Sequence, residues 1–74
     1  MSNKEILIRP EQEYITLQAM LQICDFISTG GMAKAFLSEN RVLVNGEEEN
    51  RRGRKLYPDD VIQVLKSTFV IKKP

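Results

Sequence analysis

Histidine and tryptophan are both absent from this 74-residue sequence, and cysteine occurs once, at Cys24. The missing histidine removes the commonest general base and the commonest zinc ligand together. A single cysteine excludes an internal disulfide and points to a reducing compartment. Cys24 also falls on the apolar stripe of a predicted helix, where an unpaired cysteine behaves as a small hydrophobe, and no histidine is present to activate it. No apolar run approaches the roughly 18 residues of a membrane span. The opening MSNKEILIRPEQE has too short an apolar core for a signal peptide and soon turns acidic. With two tyrosines and three phenylalanines, aromatic residues are too few to argue for single-strand stacking. These absences describe a soluble, cytoplasmic, non-catalytic protein that needs no cofactor or metal and has no membrane partner.

What is present suffices for one small domain spanning residues 1–74. A chain of this size buries only about 60% of the surface its unfolded form exposes, so the core must be compact. KEILIRP alternates around Ile6 and Ile8 and stops at Pro10, which predicts a short strand. The period then changes: Leu17, Met20, Leu21 and Cys24 form one stripe of an amphipathic helix, with Thr16 as its N-cap. DFISTGGMAKAFLSENR restarts the helical pattern. Ser28 or Thr29 can cap it, Ala33, Phe36 and Leu37 supply its buried face, and Asn40 takes the left-handed position at its end.

From Val42 the period falls to two. RVLVNGE predicts a strand ending in a tight turn at Asn45-Gly46. RKLYPDDVIQVL is a further strand region broken at Pro58-Asp59-Asp60, and TFVIKK is a last strand. The order is strand, two helices, then strands, which predicts an α+β domain with the helical hairpin on one face of a small sheet. Val42 and Val44 are expected to share the face beneath the second helix, against Phe36 or Leu37.

Charge is nearly balanced, at eleven Lys and Arg against ten Asp and Glu, yet Arg51, Arg52, Arg54 and Lys55 lie within five residues. Arginine's planar fork suits phosphate recognition. Glu47, Glu48 and Glu49, just before the cluster, are expected to form a solvated hairpin arm, and Asp59 and Asp60 to be turn residues rather than a metal pair. STGGMAK places two glycines at the first turn of a helix. Two readings stand: backbone amides open to an anion, with Lys34 one turn later on the polar face, or a loop that only needs the flexible geometry of glycine.

TGGMAKAFLSENRVLVNGE followed by NRRGRKLYPDDVIQV resembles the S-four RNA-binding domain, also called the alpha-L RNA-binding motif, in its small stand-alone bacterial form. The resemblance runs from about Leu17 to Val64, with a flanking strand at each end. It implies a two-helix hairpin packed on one face of a small, mostly antiparallel sheet. It also implies an RNA surface formed by Thr29, Gly30, Gly31 and Lys34 at the second helix start, Asn40 and Arg41 at the corner, Asn45 and Gly46 at the turn, and Arg51, Arg52, Arg54 and Lys55 beyond it. Many family members open the first helix with Arg-Leu-Asp, where this chain has Thr16-Leu17-Gln18. Many place Arg where Gly30 stands, and Gly where Asn40 stands. The implied function is binding of structured RNA through phosphate contacts, with ribosomal RNA, a ribosomal subunit or its assembly factors as partners. A protein-interaction module using the same fold or edge-strand pairing is the alternative, and DNA binding through the basic face is a third reading.

Overall fold

The structure is a computed structural model that describes the backbone of residues 2–74 and the side chains of residues 4–74. Ten short elements follow one another: β1 (Ser2–Leu7), β2 (Ile15–Thr16), α1 (Leu17–Ile23), a 3-10 turn (Gly30–Met32), α2 (Ala33–Glu39), β3 (Val42–Val44), β4 (Glu47–Glu48), β5 (Lys55–Leu56), β6 (Val61–Val64) and β7 (Ser67–Lys72). Five strands form one sheet in the order β1-β7-β6-β3-β4, while β2 and β5 pair as a separate ribbon. All pairs are antiparallel except β1 with β7, which runs parallel from Ser2 opposite Ser67 to Leu7 opposite Lys72. The expected fold, a helical hairpin on a mostly antiparallel sheet, is therefore the one observed.

Strand alternation builds the core. Ile6, Ile8, Val42, Val44, Ile62, Val64, Phe69 and Ile71 are buried on one sheet face, and Leu17, Met20, Leu21, Ala33 and Leu37 of the helices are buried in the same cluster. Full burial of each aliphatic side chain contributes about 1.5–3 kcal/mol before entropy is subtracted. Val42 and Val44 are both buried while Leu43 between them is not, as the period-two reading of this strand requires.

Each helix is only seven residues long, so local end chemistry and packing must hold it. Thr16 caps α1 as expected, its Oγ1 accepting from the Ala19 amide at 3.2 Å. The C-terminus of α1 closes with two bonds: the Phe26 amide donates to the Leu21 carbonyl, and the Asp25 amide to that of Gln22. This is a Schellman closure with Asp25 at the left-handed position, φ 63°.

Two local expectations are corrected. Asn40 is extended, φ −130° and ψ 140°, and ends α2 differently: its backbone amide and its side-chain Nδ2 both donate to the Phe36 carbonyl, at 2.9 and 3.1 Å. A side-chain amide thus does what a left-handed residue would do. Ser28 and Thr29 make no side-chain capping bond among the described residues. The chain enters α2 through the 3-10 turn, so the residue at the cap position of α2 is Met32.

The turns follow their residue types more closely. Val44 pairs with Glu47 across Asn45-Gly46, whose φ values of 52° and 85° mark a type I′ hairpin. Tyr57-Pro58-Asp59-Asp60 is closed by the Asp60 amide on the Tyr57 carbonyl at 3.0 Å, with Asp59 left-handed after the proline. Among the described residues no helix is long and apolar enough to cross a membrane.

Candidate nucleic-acid interface

The basic segment is held in place by backbone pairing. In the β2–β5 ribbon Ile15 stands opposite Leu56 and Thr16 opposite Lys55. Ile15 and Leu56 turn inward and are buried, so by strand alternation Lys55 turns outward. Upstream, the Arg51–Arg54 stretch folds as a turn, with the Arg54 amide on the Arg51 carbonyl at 3.2 Å. It then offers two carbonyls to the start of α1: the Leu17 amide donates to Arg54 at 2.9 Å and the Gln18 amide to Arg52 at 3.0 Å. With Thr16 serving Ala19, the first three amides of α1 are all taken. The first helix start is therefore a docking point for the basic segment and not an anion site.

Glu49 organises the side chains of this segment, and here the expectation of a solvated acidic arm fails. Glu47 and Glu48 are exposed, but Glu49 is only 6% exposed. Its carboxylate accepts from the Arg51 amide at 3.0 Å, from Arg51 Nε at 2.9 Å and Nη2 at 3.1 Å, and from Arg54 Nη1 at 2.8 Å. Charge-assisted, bidentate contacts of this type are short and directional. The Arg51 side chain leads in holding the Glu49 carboxyl down at about 2, with its amide and Arg54 adding to the effect and desolvation opposing it. A buried carboxylate with four donors is satisfied. The third residue of EEE turns inward because its amide adds a further rung to the hairpin, on the Val42 carbonyl at 2.8 Å, which sets it opposite the buried Val42.

The four clustered cations therefore differ. Arg51 keeps 73% of its side chain exposed and Arg54 31%, each with one edge on Glu49. Arg52 is exposed, and its side chain makes no ion pair among the described residues. Lys55 lies 5.1 Å from the centre of the Tyr14 ring. Lys34 is exposed on α2 and borders, with Ser38 and Asn40, a shallow hollow whose opposite wall is Glu48, Glu49 and Asn50. The second helix thus faces Glu48, Glu49 and Asn50, the residues that lead into the basic segment, across this hollow.

Gly30 stands next to this segment through Gln18. A Cβ built on Gly30 would meet the Gln18 carboxamide, whose Cδ lies 3.1 Å away, whereas one on Gly31 would find open space but for Thr29 Oγ1 at 4.0 Å. A side chain at residue 30 would displace only the mobile end of Gln18; with its carboxamide against Gly30 and its backbone amide on the Arg52 carbonyl, Gln18 links the 3-10 turn to the basic segment. Thr29 and Gly31 are exposed. The dipole argument for this helix start weakens, since α2 has seven residues and begins with a 3-10 turn; what remains is close backbone access.

The other predicted residues lie elsewhere or are committed to the fold. Asn45 Nδ2 donates to Asp60 Oδ1 at 3.0 Å, and Asn45 Oδ1 accepts from the Val61 amide at 2.9 Å. Asn45 thereby ties the hairpin turn to β6, with Gly46 exposed beside it. Arg41 is exposed and pairs with Glu48 at 3.6 Å. Asp59 and Asp60 are turn residues as expected: Asp60 Oδ2 accepts from the Tyr57 amide at 2.8 Å, and Asp59 pairs with Lys72 at 3.2 Å. Burial pushes the Cys24 thiol up, the direction opposite to an activated nucleophile. Three contributors escaped the sequence reading: Glu49, Gln18 and Tyr14. The only sequence signal for Glu49 was its place two residues before Arg51 and five before Arg54.

A family model described as the S4 domain matches residues 8–72, a longer stretch than the motifs alone cover and one that includes the whole of β7. A protein of Bacillus subtilis (strain 168) described as "Probable ribosome maturation protein RlbA" is 57% identical over 54 residues, spanning 73% of this chain and 76% of that protein. No solved structure matches. With the two-helix unit, the type I′ turn after it and the family match all on the same residues, this chain belongs to the S4 domain family.

Proposed function

We propose that this chain is a non-catalytic binder of structured RNA, with ribosomal RNA in a maturing ribosomal particle as its target and the cytoplasm as its place of work. The observation that carries the reading is the fixed basic segment. Glu49 orients Arg51 and Arg54, and the ribbon and the α1 start hold the backbone between them. Arg52, Lys55 and Lys34 are left exposed to solvent. Preorganised cations lose less freedom on binding than mobile ones. Lys34, Arg52 and Lys55 contact phosphates directly, and Arg51 and Arg54 add their free edges. Thr29, Gly30 and Gly31 allow the RNA backbone to come close. Asn40 borders Lys34 at the edge of this site, while Arg41, Asn45 and Gly46 serve the fold and are assigned no phosphate. Phosphate contacts position a protein without reading bases, so the duplex is recognised by shape. The family membership and the ribosome-maturation description of the relative support the same reading.

Crosslinking the protein in growing cells and sequencing the attached RNA tests it. Ribosomal RNA is the expected product, enriched at a small number of sites. A protein adaptor would give instead a partner that is recovered equally well after nuclease treatment, with no enriched RNA.

A further inference from the structure

The outer face of the β2–β5 ribbon carries a feature that phosphate binding alone does not use. Extending the ribbon's register by one pair sets Tyr14 opposite Tyr57, and their ring centres lie 5.7 Å apart at an interplanar angle of 52°. Lys55 covers the Tyr14 ring. Tyr57 is instead 46% exposed and lines an open hollow of about 510 Å³ together with Arg51, Gly53, Arg54 and Lys55. Gly53 adds no side chain there, and a Cβ placed on it would meet nothing within 4 Å. Two carboxylates near the ribbon are already engaged: Glu49 by Arg51 and Arg54, and Asp60 by the Tyr57 amide and Asn45 Nδ2.

An exposed aromatic ring among three cations has the chemistry of a nucleotide site: a π-face for a base, with positive charge for its phosphates. A base inside a duplex cannot reach such a ring. An unpaired one, bulged or in a loop, can stack on it. The geometry points to the outer face of the β2–β5 ribbon as a stacking site for a single unpaired nucleobase, with Tyr57 as the platform and Arg51, Arg54 and Lys55 around the adjoining phosphates. This inference rests on the RNA-binding reading above and narrows it to a stem that carries an unpaired nucleotide. It also revises the expectation that aromatics are too few for stacking: Tyr14 and Tyr57 are far apart in sequence, and the ribbon brings them together beside the cations.

The test uses the full chain and two hairpin RNAs with the same stem, each closed by an ethylene-glycol linker in place of a nucleotide loop, one fully paired and one with a single extra, bulged 2-aminopurine. The wild type is expected to bind the bulged hairpin about 5- to 100-fold more tightly, the range set by one aromatic–base stack, and to quench its fluorescence. Tyr57→Phe keeps both the preference and the quenching. Tyr57→Leu, checked for folding by its melting curve, loses both while still binding the paired hairpin in a salt-dependent manner. Equal wild-type affinity for the two hairpins, or a preference that survives in Tyr57→Leu, overturns the stacking site and leaves RNA binding standing. The wild-type comparison decides even if the leucine variant does not fold. Failure of the wild type to bind either hairpin removes both this site and the reading beneath it.

Discussion

Glu49 converts a run of charges into a shaped surface, and its protonation gives a direct way to see this. Its carboxyl is held at about 2, below the usual carboxylate range. A group whose pKa is lower in the folded than in the unfolded state adds stability above its unfolded value, and that stability is lost as pH falls through the folded one. The contribution should therefore be complete above roughly pH 4.5 and gone near pH 2. Glu49→Gln removes it. At neutral pH the variant should be about 1–2 kcal/mol less stable, at the lower end for charged hydrogen bonds because Arg51 is largely exposed to screening solvent. Thermal melts at stepped pH should show the two proteins converging between about pH 5 and pH 2. A gap that stays constant down to pH 2.5 would mean that Glu49 stabilises through packing alone. The residue was illegible in the sequence because three adjacent glutamates look alike until a hairpin register decides which one turns inward.

At the scale of elements, the helices and the longer strands were legible because periodicity is a local property. Leu17, Met20 and Leu21 mark one face of a helix, Val42 and Val44 one face of a strand, and Asn45-Gly46 names its own turn. The two-residue strands β2 and β5 were not legible, since no period can be read in two residues and their pairing joins Ile15 to Leu56. Helix ends also misled. At the end of α2 a left-handed residue was expected at Asn40, which instead caps through its side chain; at the end of α1 a left-handed residue does occur, Asp25 at φ 63°, where a carboxylate also faces the negative end of the α1 dipole. Asp25→Gly relieves both the backbone strain and the charge. It should raise stability by about 0.5–1 kcal/mol, a gain of a few degrees in melting temperature for a domain of this size. A lower melting temperature would show that the Asp25 side chain makes a contact worth more than the strain it carries.

For the whole molecule, near-neutrality and RNA binding are compatible because the charges are sorted in space. Glu48 and Glu49 are spent on Arg41, Arg51 and Arg54, while Lys34, Arg52 and Lys55 remain turned toward solvent. The sequence located this cluster but could not separate its paired from its unpaired members, nor attach Gly30 to it through Gln18. That separation supplies the most direct measurement: the salt dependence of binding to a ribosomal RNA fragment by the wild type and by a Lys34→Ala, Arg52→Ala double variant. With three to four phosphates engaged, the log–log slope of affinity against salt should lie near −2 to −3.5, at roughly −0.7 to −0.9 per phosphate. The double variant should flatten it by about 1.5 units with an unchanged melting temperature, because both side chains are exposed and make no ion pair among the described residues. A wild-type slope near zero, or a slope that the double variant leaves intact, would contradict the account.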